Sequence, residues 1–309
     1  MKIRPVKAIK KRIRFGRGSA RTEGLSRKKK RLKYIAVLPS FVTLMNGACG
    51  FIAVVFASRS PELRWNIIRG FSMNSFALSG YMIFLAMIAD MLDGRVARLT
   101  RTTSSFGGQL DSLSDTVSFG VAPAFLMIKV IEFYPEYFSF EKIRFSILIN
   151  RSILFFAIFY VMCAVVRLAR FNVENEEDES AHMNFAGLPS PAAAGIVVSL
   201  VIFSQQYLHG FPGEIAGRAV EMLVVTSLPV ITFISGILMV SRIRYPHLAN
   251  QLLRGKKPLS TLLLLFACGL LVIWNIQLAM VLGFCGFALF GIFRWVYASL
   301  FKKRKTLST

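Results

Sequence analysis

Four aspartates, Asp90, Asp93, Asp111 and Asp115, stand in a chain of 309 residues that is otherwise strongly apolar. They fall in Asp90-Met-Leu-Asp93-Gly94-Arg95-Val-Ala97-Arg98, then eight residues, then Gly107-Gly-Gln-Leu-Asp111-Ser-Leu-Ser-Asp115. A carboxylate at lipid depth is costly unless water or a cation meets it. On a helix, Asp90 and Asp93 share a face that Gly94, Ala97 and Arg98 continue, and Gly107, Asp111 and Asp115 align at intervals of four. Two antiparallel helices with a short linker would bring both acidic stripes together. Four carboxylates in one pocket cannot all stay ionised without cations. An all-oxygen donor set suits Mg²⁺ or Mn²⁺ better than zinc or copper. Four carboxylates exceed what one Mg²⁺ usually takes from protein, so a pair of ions is expected, clamping a transferring phosphoryl group. The small residues Gly94, Ala97 and Gly107 leave room for a diphosphate, and Arg98 offers it a bidentate fork. Interfacial carboxylates with snorkelling arginines would explain one or two of these aspartates, but not four in register.

The elements that must position them are membrane helices. The composition is 54% hydrophobic and only 17% charged, with mean hydropathy +0.55, and several apolar runs reach the roughly 20 residues that cross a bilayer core. Eight helical spans are predicted, at 38–58, 74–97, 107–131, 148–169, 188–208, 219–241, 258–274 and 277–298. Asn275 is the break between the last two, which could otherwise be one hairpin or a re-entrant pair, and Pro229 should kink the sixth. The expected fold is therefore an all-α, polytopic integral membrane helix bundle. The loops are too short for a soluble catalytic domain, so any chemistry must take place in the bundle at the membrane surface.

Charge sets the expected orientation. The net charge is +22, and residues 1–33 are dense in Lys and Arg with Glu23 as their one acid. The arm over 1–37 is expected to be disordered and cytoplasmic, either holding anionic lipid or acting only as a topology signal; beside a first span, lipid is a better partner than nucleic acid. Arg95, Arg98 and Arg101, then Arg167 and Arg170, and finally Lys302-Lys-Arg-Lys305 fall on that same side. The aspartates thus come near the cytoplasmic face. Cys49, Cys163, Cys268 and Cys285 have no paired spacing and read as small buried side chains. His182, His209 and His247 lack metal-ligand neighbours.

The pattern Asp90-x-x-Asp93-Gly94-x-x-Ala97-Arg98, eight residues, Gly107-x-x-x-Asp111-x-x-x-Asp115 resembles the signature of the CDP-alcohol phosphotransferases, and the likeness extends over about 39–208. Arg167-Leu-Ala-Arg170-Phe171-Asn172, Phe185-Ala-Gly187-Leu-Pro189-Ser190-Pro191-Ala-Ala-Ala194 and Met239-Val-Ser241-Arg242-Ile-Arg244-Tyr245-Pro246 are similar to the serine-accepting branch of that family. The resemblance implies a six-helix catalytic core, here 38–246; the basic N-terminal arm and the two further C-terminal helices with their basic tail in 247–309 exceed it. It implies transfer of the phosphatidyl group from CDP-diacylglycerol to L-serine with release of CMP, by a homodimer of the cell (inner) membrane with its site facing the cytoplasm.

By the same resemblance, Asp90, Asp93 and Asp111 bind metal, and Asp115 both contacts the second ion and serves as general base. Gly94, Arg98 and Ser104 meet the CDP diphosphate, with Ala97 and Gly107 beside them, and Thr43 and Asn46 border the nucleotide. For the serine carboxylate, an arginine at the cytoplasmic end of the fourth span is the natural partner. Arg170 is the first candidate, with Arg167 and Asn172 nearby, although arginines there are also routine topology anchors. The Gly187–Pro191 stretch is equally a helix-start signal. Other acceptors (glycerol 3-phosphate, inositol phosphate or choline) remain open. A secondary transporter using the aspartates as an ion relay remains open as well, though no internal repeat is visible.

Overall fold

A computed structural model describes residues 40–68, 71–100, 105–138, 143–177, 187–207, 214–243, 245 and 268–305. The basic arm, Ser104 and the stretch 246–267 lie outside the described residues. Among the described residues, six helices are long and apolar enough to cross a membrane: Ser40–Ala57, Ser75–Arg95, Phe106–Phe133, Ile147–Val173, Gly217–Val240 and Ile276–Ala298. The chain is a multi-pass membrane protein. In chain order the helices are α1 (Ser40–Ala57), α2 (Ser75–Thr100), α3 (Ser105–Asp115), α4 (Ala122–Phe133), α5 (Ile143–Glu177), α6 (Ser190–Ile202), α7 (Glu214–Val240) and α8 (Ile276–Lys305).

Three features depart from the sequence expectations. The loop over 59–73 holds a hairpin, β1 (Arg64–Ile68) and β2 (Phe71–Asn74), paired antiparallel with Arg64 opposite Asn74. The single span expected over 107–131 is α3, a π-helical turn (Thr116–Val121) and α4 run together. Cys268 is exposed, so the reading of the cysteines as buried fits Cys49 and Cys163 but not this one. Of the predicted 258–274 span only 268–274 is described; it is helical, and the break falls at Asn275, whose side chain caps the next helix by accepting the Leu278 N–H at 2.8 Å. α7 runs through Pro229 without interruption.

α6 is the hub. Every residue from Ala193 to Ile202 is buried, which is the burial expected of a helix apolar on all sides. It packs against α2, α4, α7 and α8, while α5 lies along α7, where Gly236 meets the Tyr160 backbone and Phe233 rests on Phe156 and Phe159. Tyr160 is fully buried and donates its hydroxyl to the Phe119 carbonyl at 2.9 Å, inside the π-helical turn. Such turns shift the backbone hydrogen-bond ladder by one residue and are frequent at functional sites. This one begins immediately after Asp115.

Two glycines fix how the elements meet. A Cβ on Gly50 would stand 2.7 Å from the Ser118 Cα, so only glycine lets α1 lie this close to the π-helical turn. Gly187 has φ +96° and donates its N–H to the Ile243 carbonyl at 2.8 Å, while Leu188 donates to Leu238 at 2.9 Å. These bonds tie the entry of α6 to the end of α7, and Pro191 then opens the first turn. Left-handed backbone costs a non-glycine residue about 1–3 kcal/mol, and a Cβ here would also press on the Met239 carbonyl. Gly187→Ala should therefore lower the thermal inactivation midpoint of the detergent-solubilised protein by several degrees; an unchanged midpoint would show that this junction is not under constraint.

At the far end of the bundle from the aspartates, polar side chains stitch the helix ends. Asn74 accepts the Ala77 N–H and donates to Gln205 at 2.7 Å; Gln205 donates to the Tyr134 hydroxyl at 3.1 Å, which donates to Glu221 at 2.8 Å. Burial pushes the Tyr134 phenol above its ordinary range, so it remains a donor.

Candidate active site

The aspartates converge at the other end. α2 carries Asp90 and Asp93, and α3 carries Asp111 and Asp115. One carboxylate oxygen each from Asp90, Asp93 and Asp111 lies within 4.8 Å of the others. Opposite oxygen ligands of one Mg²⁺ stand at most about 4.2 Å apart, so this trio closes on an ion with small side-chain adjustments. Asp111 Oδ1 is buried and has no hydrogen-bond partner, which is costly in protein alone and is resolved by a bound cation. The donor set therefore fits a hard divalent metal.

Asp115 stands outside that trio. It is buried, and its Oδ1 accepts a 2.8 Å hydrogen bond from Asn46 Nδ2. Asn46 is itself fully buried; its backbone carbonyl accepts the Ser118 hydroxyl at 2.9 Å, and its own Oδ1 has no partner. One turn earlier, Thr43 donates its hydroxyl to Asp93 Oδ2 at 2.7 Å. So α1 reaches both acidic helices, and the glycine notch at Gly50 brings it there. Thr43 and Asn46, expected to border a nucleotide, hold carboxylates in this geometry.

Gly94 faces open space: a Cβ built on it meets nothing within 4 Å. Gly107 is half-buried near the start of α3. Ala97 and Arg98 lie in the last turns of α2, but their side chains fall outside the described residues, as does Ser104 altogether. The three residues expected near a serine carboxylate separate. Arg167 is half-buried, with its charge acting on Asp115 and Asp90, and its Nη1 donates to Ser190 Oγ at 2.8 Å. Arg170 is exposed. Asn172 donates Nδ2 to Ser112 Oγ at 2.8 Å, tying the end of α5 to the residue after Asp111. Ser190 and Ser112 were not singled out by spacing, because a serine in a helix ordinarily bonds its own backbone.

Partners that hold metal-binding carboxylates typically matter 10–100-fold to metal affinity or activity. Thr43→Val should thus raise the Mn²⁺ concentration needed for half-maximal activity by about tenfold, read from a metal titration. An unshifted midpoint would separate Thr43 from the metal centre.

The sequence profile described as CDP-alcohol phosphatidyltransferase matches residues 36–234. The chain is 32% identical over 238 residues to a CDP-diacylglycerol–serine O-phosphatidyltransferase of Helicobacter pylori, covering 76% of this chain and 88% of the relative. It is 32% identical to an enzyme of the same name from Methanocaldococcus jannaschii, covering 72% and 79%. An archaetidylserine synthase of Methanothermobacter thermautotrophicus is 33% identical, covering 71% and 73%.

Proposed function

The chain belongs to the CDP-alcohol phosphatidyltransferase family, and from that premise we propose that it transfers the phosphatidyl group of CDP-diacylglycerol to L-serine, releasing CMP. The observation that carries the division of labour is the split among the aspartates: three share oxygens within 4.8 Å, and the fourth is held apart by an amide. Asp90, Asp93 and Asp111 would hold the divalent metal, Mg²⁺ or Mn²⁺, and Asp115 would contact a second ion. When bound, the metal supplies charge neutralisation for the diphosphate.

The residues of the chain do the rest. Gly94, with Ala97 and Gly107, leaves space for the diphosphate, and Arg98 and Ser104 contact its oxygens. Asn46 orients Asp115 so that its second oxygen faces the acceptor. Asp115 takes the proton of the serine hydroxyl as that oxygen attacks the phosphorus bearing the diacylglycerol. The bond from that phosphorus to the CMP oxygen breaks, and Arg98 stabilises the departing phosphate. No covalent enzyme intermediate forms, so both substrates occupy the site together. Arg167, Arg170 and Asn172 belong to the acceptor side.

In this reading 38–246 is the catalytic membrane unit, the arm over 1–37 lies on anionic lipid, and 247–309 adds helices beyond the core. The protein is a homodimer of the cell membrane with its site towards the cytoplasm. The test supplies purified protein with labelled CDP-diacylglycerol, Mn²⁺ and, in turn, serine, glycerol 3-phosphate, inositol phosphate or choline. Labelled phosphatidylserine with serine alone is expected; preferred turnover of another acceptor would overturn the serine assignment.

A further inference from the structure

Arg167 is half-buried on α5, and one of its guanidinium nitrogens is left without a partner. Nη1 donates to Ser190 Oγ at 2.8 Å, while Nε is buried and has no partner. A buried N–H left unpaired costs about 1–3 kcal/mol, so an occupant that pairs it is favoured. Nη1 is the amino group on the Cδ side of the fork. Engaging it with Ser190 leaves the opposite edge, Nε with Nη2, which is the edge that grips a carboxylate side-on through two parallel bonds.

Ser190 is built to hold that orientation. It is 1% exposed, and it opens α6 directly after the Gly187–Pro189 segment. That segment is fixed to the end of α7 by the two backbone bonds from Gly187 and Leu188. The hydroxyl therefore sits on a junction of three helices, α5, α6 and α7, and cannot follow the arginine if it swings.

We propose that Ser190 is a positioning residue that turns the Nε edge of Arg167 towards the acceptor, so that the enzyme recognises its alcohol by a free carboxylate. The proposal rests on the assignment of serine as acceptor and names the group that reads it. The acceptor hydroxyl then lies towards Asp115 with its carboxylate on Arg167. Arg170, exposed and one turn on, is not required for that contact.

Steady-state kinetics of the full-length protein in detergent–lipid micelles test this. The comparison is wild type, Ser190→Ala, Ser190→Thr and Arg167→Lys, with KM measured separately for L-serine and CDP-diacylglycerol. A charge-assisted hydrogen bond is worth a factor of about ten or more. Ser190→Ala should raise the KM for serine about tenfold, with a far smaller change for CDP-diacylglycerol, and Ser190→Thr, which keeps the hydroxyl, should recover most of it. Arg167→Lys keeps the charge beside the aspartates but loses the fork, and should raise the serine KM further still. A serine KM within twofold of wild type in either Ser190→Ala or Arg167→Lys would overturn the proposal. So would a parallel rise in both KM values, which would assign Arg167 to the diphosphate. If Ser190→Ala does not fold, Ser190→Cys, close in size but a weak acceptor, takes its place with the same expected rise in the serine KM. A wild type that consumes no serine would instead sink the acceptor assignment, and the two failures are distinguishable.

Discussion

Asp115→Asn is expected to lower kcat by about 10²–10⁴-fold, the usual contribution of a positioned general base, with a much smaller effect on the KM for CDP-diacylglycerol. The substitution is nearly isosteric, and Asn46 can turn its amide to present its unpartnered oxygen to the new NH₂ group, so the packing of α1 on α3 should survive. What is lost is an oxygen able to accept the serine proton. An alcohol is a weak nucleophile until such a group is within hydrogen-bond reach. Single-turnover CMP release at saturating serine reports the chemical step directly, and repeating it at high Mn²⁺ separates a lost base from a lost metal contact. Recovery to near wild-type rate with added metal, or a fall of less than tenfold, would remove Asp115 from the role of base.

Removing divalent cations should have an effect at least as large. Treatment with a chelator is expected to reduce turnover to background, and Mg²⁺ or Mn²⁺ should restore it. Asp111→Asn should leave little activity at any metal concentration. Without an ion the site keeps three carboxylates with oxygens within 4.8 Å and an Asp111 oxygen that is buried and unpartnered. Their mutual repulsion makes the empty site unstable, so binding should also stabilise the fold by mass action. The midpoint of thermal inactivation should rise with Mn²⁺ in the wild type and much less in Asp111→Asn. Full activity after chelation, or equal thermal shifts in both proteins, would sink the metal centre.

The acidic stripes were legible in sequence because helical periodicity fixes which residues share a face, and four charges among lipid-length apolar runs have few bland explanations. The order of the described helices followed from the length of the apolar runs, and the break from the polar Asn275 between the last two. What escaped notice depends on contacts between elements. Thr116-Val-Ser-Phe-Gly-Val reads as continuing helix, and what sets it apart are its contacts with distant Tyr160 and Gly50. The 64–74 hairpin lacks a clean alternation of apolar and polar residues, so it read as loop. Sequence alone put Arg170 ahead of Arg167 as the carboxylate partner, although both sit at the same helix end. Their difference lies in Ser190, distant in sequence and brought near by the Gly187 junction. Arg98 and Ser104 still rest on motif spacing.

The notch at Gly50 also makes α1 a measuring element. Thr43, Asn46 and Gly50 are three and four residues apart, so one face of α1 meets Asp93, Asp115 and the π-helical turn together. Each helical residue turns that face by about 100°. Deleting one residue between Asn46 and Gly50 would keep the notch filled while swinging both polar side chains away from their carboxylates. Phe41, Leu44, Met45 and Phe51 are exposed on α1, and an exposed apolar position asks only for an apolar side chain. The face that carries Thr43, Asn46 and Gly50 asks for a fixed count of residues.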